Sequence, residues 1–152
     1  MDKNNILDHL RDAKKSHLKW LQRAKALISN LPVDQDAIPI DFTECMFGRW
    51  FYSDGQKIAM LSGIDCIPEI GLKHQTLHDE YIKIFKIYFG DANKSFFSKL
   101  FNLKKYISEA EQEIAREYYN NLKLISDDLL NDIEKLEKYI YSLPQSSFNE
   151  LI

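Results

Sequence analysis

Residues 6–31 read ILDHLRDAKKSHLKWLQRAKALISNL. Apolar side chains recur at Ile6, Leu10, Ala13, Trp20, Leu21, Ala24, Leu27, Ile28 and Leu31, the three-and-four spacing that marks one face of a long helix. His17 falls on that face. Further along, Ile67, Ile70, Leu77, Tyr81, Ile84, Phe85 and Tyr88 repeat the rhythm, and both His74 and His78 lie on the stripe. Helical positions four apart are separated by about 6 Å of rise and roughly 40° of rotation, so two imidazoles at that spacing can converge on one ion.

Cys45 belongs to a different kind of segment, DFTECMFGRWFYSDG at residues 41–55, an aromatic-rich stretch bounded by turn residues. It reads as a short helix between two loops. Thr43 or Asp41 is expected to cap its start, and Gly48 removes a side chain where another group must approach. Taken singly, a histidine on an apolar stripe is usually a partly buried, hydrogen-bonded residue, and a buried cysteine usually behaves as a small hydrophobe. Three of the four histidines together with Cys45 would crowd several polar atoms into one core, and such atoms need partners. A metal supplies them all at once. Three imidazoles and one thiolate suit zinc, whereas carboxylate-rich sets favour iron or manganese and all-oxygen sets magnesium or calcium.

The segments His17-Leu-Lys-Trp20, Cys45-Met-Phe-Gly48-Arg-Trp50-Phe-Tyr52 and His74-Gln-Thr-Leu-His78 resemble the chemoreceptor zinc-binding domain, a bacterial regulatory module. The cysteine motif followed by glycine, a basic residue and tryptophan is its specific part. The resemblance covers roughly residues 6 to 90 and implies an all-α fold, a four-helix bundle with an additional short helix carrying the cysteine motif, usually homodimeric. It implies zinc ligands at His17, Cys45, His74 and His78, and no role for His9. Relatives often carry an acidic residue directly before the first ligand histidine, where this chain has Ser16.

At 152 residues the chain is one domain by length, expected as a zinc-binding bundle over residues 1–143 and a mobile tail over residues 144–152. A net charge of −3, with no basic block, argues against a nucleic-acid partner. No apolar run approaches the roughly 20 residues of a membrane span, and the polar start is not a signal peptide, so membrane insertion is not expected and cytoplasm is the default. Two cysteines do not make a disulfide framework, and Cys66 reads as a packing residue beside Asp65, the expected N-cap, and Pro68 in the first turn.

Beyond Gly90 the pattern is helical again. Asp91 is expected to cap a helix holding Phe96, Phe97, Leu100, Phe101 and Leu103, and Ser108 with Glu111 forms a capping box. Leu122, Ile125, Leu129, Ile133, Leu136, Ile140 and Leu143 then recur close to a heptad seam, suited to the bundle's own core, to a dimer or partner surface, or to both. Pro144 ends it.

Four protein ligands leave a zinc ion no open position, and Gln75 stands where a zinc protease has its general-base glutamate. The chain therefore reads as a non-enzyme. The resemblance implies a sensory module of bacterial signal transduction, in chemotaxis or cyclic-di-GMP signalling, whose output responds to zinc occupancy or to oxidation of the ligand cysteine. With the 152 residues consumed by the bundle, the signal is expected to leave through a chemoreceptor or cyclase partner, a dimer interface or a larger protein. Two alternatives stay open: a helical interaction protein in which zinc is only a staple, and a metal-dependent enzyme with a loosened site.

Overall fold

The computed structural model describes residues 1–33, 41–90, 107–149 and 151, and its long elements are helices. Helix α1 spans Lys3–Ile28, capped by the Asp2 carboxylate, which accepts from the Asn4 backbone N–H. Short α2 spans Met46–Phe51 and runs into a 3-10 turn at Asp54–Met60. Helix α3 spans Ile67–Phe89, and α4 spans Glu109–Ser142. Among the described residues there is no strand, as an all-α bundle requires. The predicted helix from Phe96 to Leu103 lies outside the described residues.

Both stripes face inward. Ile6, Leu10, Ala13, His17, Trp20, Ala24 and Leu27 of α1 are buried, as are Ile67, Ile70, His74, Leu77, His78, Tyr81, Ile84, Phe85 and Tyr88 of α3. Each large apolar side chain so enclosed contributes about 1.5–3 kcal/mol of transfer free energy. Leu31, counted on the first stripe, instead stands 55% exposed, because α1 stops at Ile28 and Asn30 turns the chain with a φ of 57°. Helix α3 stops at Gly90, whose φ of 73° favours glycine.

Helix α4 is the splint of the bundle. It packs along both α1 and α3, which touch each other far less. Its heptad residues Leu122, Leu129, Ile133, Leu136 and Ile140 are buried within the chain, with Ile125 and Leu143 partly so. The seam is thus spent on the intramolecular core. The Ser108–Glu111 capping box opens the helix as expected. Ion pairs set its register: Lys73 of α3 reaches Asp132 at 2.5 Å, and Arg11 of α1 reaches Glu137 at 2.9 Å with Lys14 on the same carboxylate. Lys3 donates to the carbonyls of Tyr141 and Leu143, so α1 and α4 run antiparallel.

In place of the mobile tail expected after Pro144, a 3-10 turn at Gln145–Phe148 drives Phe148 fully into the core. The Met1 ammonium donates to the Phe148 carbonyl at 3.0 Å. Burying an aromatic ring against the end of α1 outweighs the ordering cost of a few polar residues, an anchor that no periodicity announces.

Candidate metal centre

One donor atom from each of His17, Cys45, His74 and His78 lies within 4.8 Å of the others, and all four residues are buried. Tetrahedral zinc with these ligands sets donor separations of roughly 3.3–3.7 Å. Cys45 Sγ and His74 Nε2 already stand 3.3 Å apart. The chemistry of the donor set fits the ion, and its widest separation, up to 4.8 Å, closes to that range with a shift of about 1 Å.

Two helices and a loop bring these groups together. His17 comes from α1 one turn beyond Lys14, and His74 follows Lys73 on α3, so both histidines sit beside the contacts that fix their helices against α4. Helix α2 closes the gap between α1 and α3. Phe47 lies edge-on to His17 and His74, with centroids 5.5 and 4.9 Å away, while Trp20 packs 4.3 Å from His78. His9 stacks on the buried Trp50 with ring centroids 4.7 Å apart and is not one of the clustered donors.

Cys45 is itself the N-cap of α2. Neither Thr43 nor Asp41 takes that place, since the Asp41 carboxylate is engaged upstream by the Thr43 N–H and hydroxyl. The Cys45 sulfur accepts from the Gly48 N–H at 3.1 Å. A Cβ on Gly48 would stand 1.8 Å from the Phe42 carbonyl oxygen, so only glycine lets the loop fold back over the helix start. Similarly, Cys66 and not Asp65 occupies the N-cap position of α3, half-buried and without a side-chain capping bond.

The hydrogen bonds around the imidazoles select their tautomers. His17 Nδ1 lies 2.7 Å from the Ala13 carbonyl, which only accepts, so Nδ1 carries the proton and Nε2 keeps its lone pair. A backbone carbonyl thus does the orienting that an acidic neighbour at position 16 would otherwise do. The Tyr52 hydroxyl donates to the Gly71 carbonyl at 3.1 Å, leaving its oxygen to accept from His74 Nδ1 at 3.4 Å. His74 Nε2 is then the nitrogen turned toward Cys45.

Sequence reasoning did not find Tyr52 or the two carbonyls. Tyr52 sits within the cysteine motif, but its role depends on α2 crossing α3 at Gly71, where a missing side chain leaves room for the Phe51 ring.

Burial favours neutral groups here. Desolvation pulls His17 down to about 4 against the Ala13 hydrogen bond, and desolvation with the neighbouring imidazoles pulls His74 down to about 2. Desolvation also pushes the Cys45 thiol up, opposed by the Gly48 and Phe47 N–H groups. Tyr52, pushed up to about 12 by burial and by Cys45, stays protonated. Unprotonated imidazole nitrogens offer lone pairs to a cation, and a cation beside the sulfur would favour its thiolate.

A family model, the chemoreceptor zinc-binding domain, matches residues 17–85, a span that begins at His17 and encloses all four donors. Over that span, a little under half of the chain, the protein is similar to that domain. Zinc is accordingly the cofactor, and the class of function is that of a zinc-binding sensory module of chemoreceptor-type signalling. Helix α4 lies outside the matched span, although it aligns the two histidine-bearing helices. No curated protein and no solved structure matches the chain. Among the described residues, no helix is long and apolar enough to cross a membrane.

Proposed function

We propose that the chain holds one zinc ion through His17 Nε2, Cys45 Sγ, His74 Nε2 and the His78 imidazole, and that occupancy of this site, or oxidation of Cys45, is the signal it passes on. The observation that carries this reading is the convergence of four donors from three separate segments within the domain. Bound there, zinc would cross-link α1, α3 and the start of α2 and keep Cys45 as a thiolate. The protein does the rest. Ala13 and Tyr52 hold the imidazoles in the binding tautomer, Gly48 N–H stabilises the anionic sulfur, and Phe47 and Trp20 pack against the imidazole rings.

A peroxide-class oxidant would form an S–O bond to the Cys45 thiolate as the O–O bond breaks and hydroxide departs. The sulfenic product is a weaker donor, so the start of α2 would loosen from the two histidine-bearing helices. With all four donors from protein and no open position, the chain acts as a regulator and not as an enzyme. Its setting on this reading is the bacterial cytoplasm, in chemotaxis or cyclic-di-GMP signalling, as a homodimer working on a chemoreceptor or cyclase partner. Since the α4 seam is internal, a dimer face would draw on exposed apolar residues such as Leu124 and Ile114 of α4 or Leu72 of α3.

The staple reading predicts collapse without metal. Against it, the apolar stripes of α1, α3 and α4 form a continuous core that extends well beyond the donors. Zinc titration followed by circular dichroism, with elemental analysis, separates the two. A sensor shows about one zinc per chain and a helical apo-protein. Absence of metal before and after zinc addition would falsify the ligand set, and an unfolded apo-protein would favour the staple.

A further inference from the structure

We propose that a cleft between α1 and the start of α2 is the port through which metal and small reagents reach the donor set, with Met46 as its gate. The proposal rests on the ligand reading above. The cleft, about 150 Å³, is bounded by Ser16, His17, Trp20, Cys45, Met46 and Phe47. That volume holds about five waters, enough for a peroxide-sized oxidant or a zinc ion stripped of part of its shell, and favours small reagents over bulky ones.

The cleft touches two of the four donors. His17 and Cys45 line it, whereas His74 and His78 do not. On the α4 side, Leu129 and Ile133 are fully buried. The Tyr52 side is occupied by the hydroxyl's bonds to Gly71 and His74. Met46 stands beside Cys45, is 64% exposed, and belongs to the cleft wall. An unbranched thioether in solvent changes rotamer at little cost, so it can swing while the backbone of α2 stays pinned through Cys45 and Gly48. Exchange is then asymmetric. An incoming ligand meets the His17–Cys45 edge first, and the His74–His78 pair, one turn apart on a rigid helix, releases last.

The test uses the full chain with Cys66→Ser, which removes the second thiol, and adds Met46→Ala or Met46→Trp. Three quantities are measured: the rate of zinc transfer to an excess of a colorimetric chelator, zinc affinity at equilibrium by competition, and the rate of Cys45 alkylation in the metal-free protein by iodoacetamide and by a bulky maleimide. Met46→Trp is expected to slow transfer and iodoacetamide labelling about fivefold or more, a barrier change near 1 kcal/mol, and Met46→Ala to speed both. Affinity should stay within about twofold in each, since Met46 supplies no ligand. Iodoacetamide should outpace the maleimide.

Rates that are equal in all three proteins, or that rise in step with low urea whatever residue stands at position 46, would show that access comes by local unfolding of α2 and would overturn the port. Protein that takes up no zinc would sink the ligand set, and the alkylation rates would still decide the port.

Discussion

Tyr52 and His9 make the sharpest pair of tests at the residue scale. The Tyr52 hydroxyl touches no donor sulfur, yet it holds His74 in the tautomer that presents Nε2. Tyr52→Phe should weaken zinc binding about tenfold, the usual size for losing an orienting partner, with helicity unchanged in circular dichroism. His9→Ala should leave zinc affinity where it was, because His9 spends its ring on Trp50; only its stacking contribution of about 0.5–1.5 kcal/mol is lost, visible in a urea melt. His74→Ala is the contrasting change, expected to cost zinc affinity orders of magnitude in a competition assay. The buried histidines also set an acid dependence. His17 and His74 are held neutral in the fold, at about 4 and about 2, whereas in the unfolded chain they protonate near 6.5. The unfolded state thus binds more protons below 6.5. Stability of the metal-free protein is complete above that value and is lost as pH falls toward 4, with His74 extending the loss further down. Urea midpoints that stay flat from pH 7 to pH 4.5 would contradict it.

At the scale of elements, α4 is informative because it brings no donor and still decides where the donors stand. Its Asp132 ties α3 next to His74, and its Glu137 ties α1 one turn before His17. Asp132 is largely enclosed, and its carboxyl is held below the usual range by the Lys73 and Lys135 hydrogen bonds in spite of desolvation. Asp132→Asn should lower stability by about 1 kcal/mol, the upper end for a partly exposed pair, and should weaken zinc binding through a looser α3 register. A double-mutant cycle with Lys73→Met measures the pair itself; full additivity would mean that the contact carries nothing. The short α2 shows the opposite economy. Six residues cannot form a stable helix alone, and this one exists because Cys45 caps it, Gly48 admits the Phe42 loop and Phe47, Trp50 and Phe51 bury its inner face.

For the whole molecule, metal should act as a ligand of the native state. With zinc at a hundred times its dissociation constant the gain is about 2.7 kcal/mol, or roughly 5–10 °C in Tm for a chain of this size. Scanning calorimetry with and without a chelator measures it. Much of this molecule was legible beforehand. The stripes of α1, α3 and α4, the capping box at Ser108 and the inward placement of the three histidines all depend on local spacing, and spacing is written directly in the chain, whereas Cys45 was read from its motif. Helical period placed His17, His74 and His78 on inward faces because a residue's direction follows from its neighbours' directions. Other features depend on what lies across the gap. Spacing could not say that Cys45 caps its own helix, that Tyr52 reaches His74 over Gly71, that Phe148 closes the end of the bundle, or that the α4 seam is spent internally. A cap, a crossing and a docked aromatic ring are set by distances between segments remote in sequence. Those distances exist only once α4 has aligned α1 with α3.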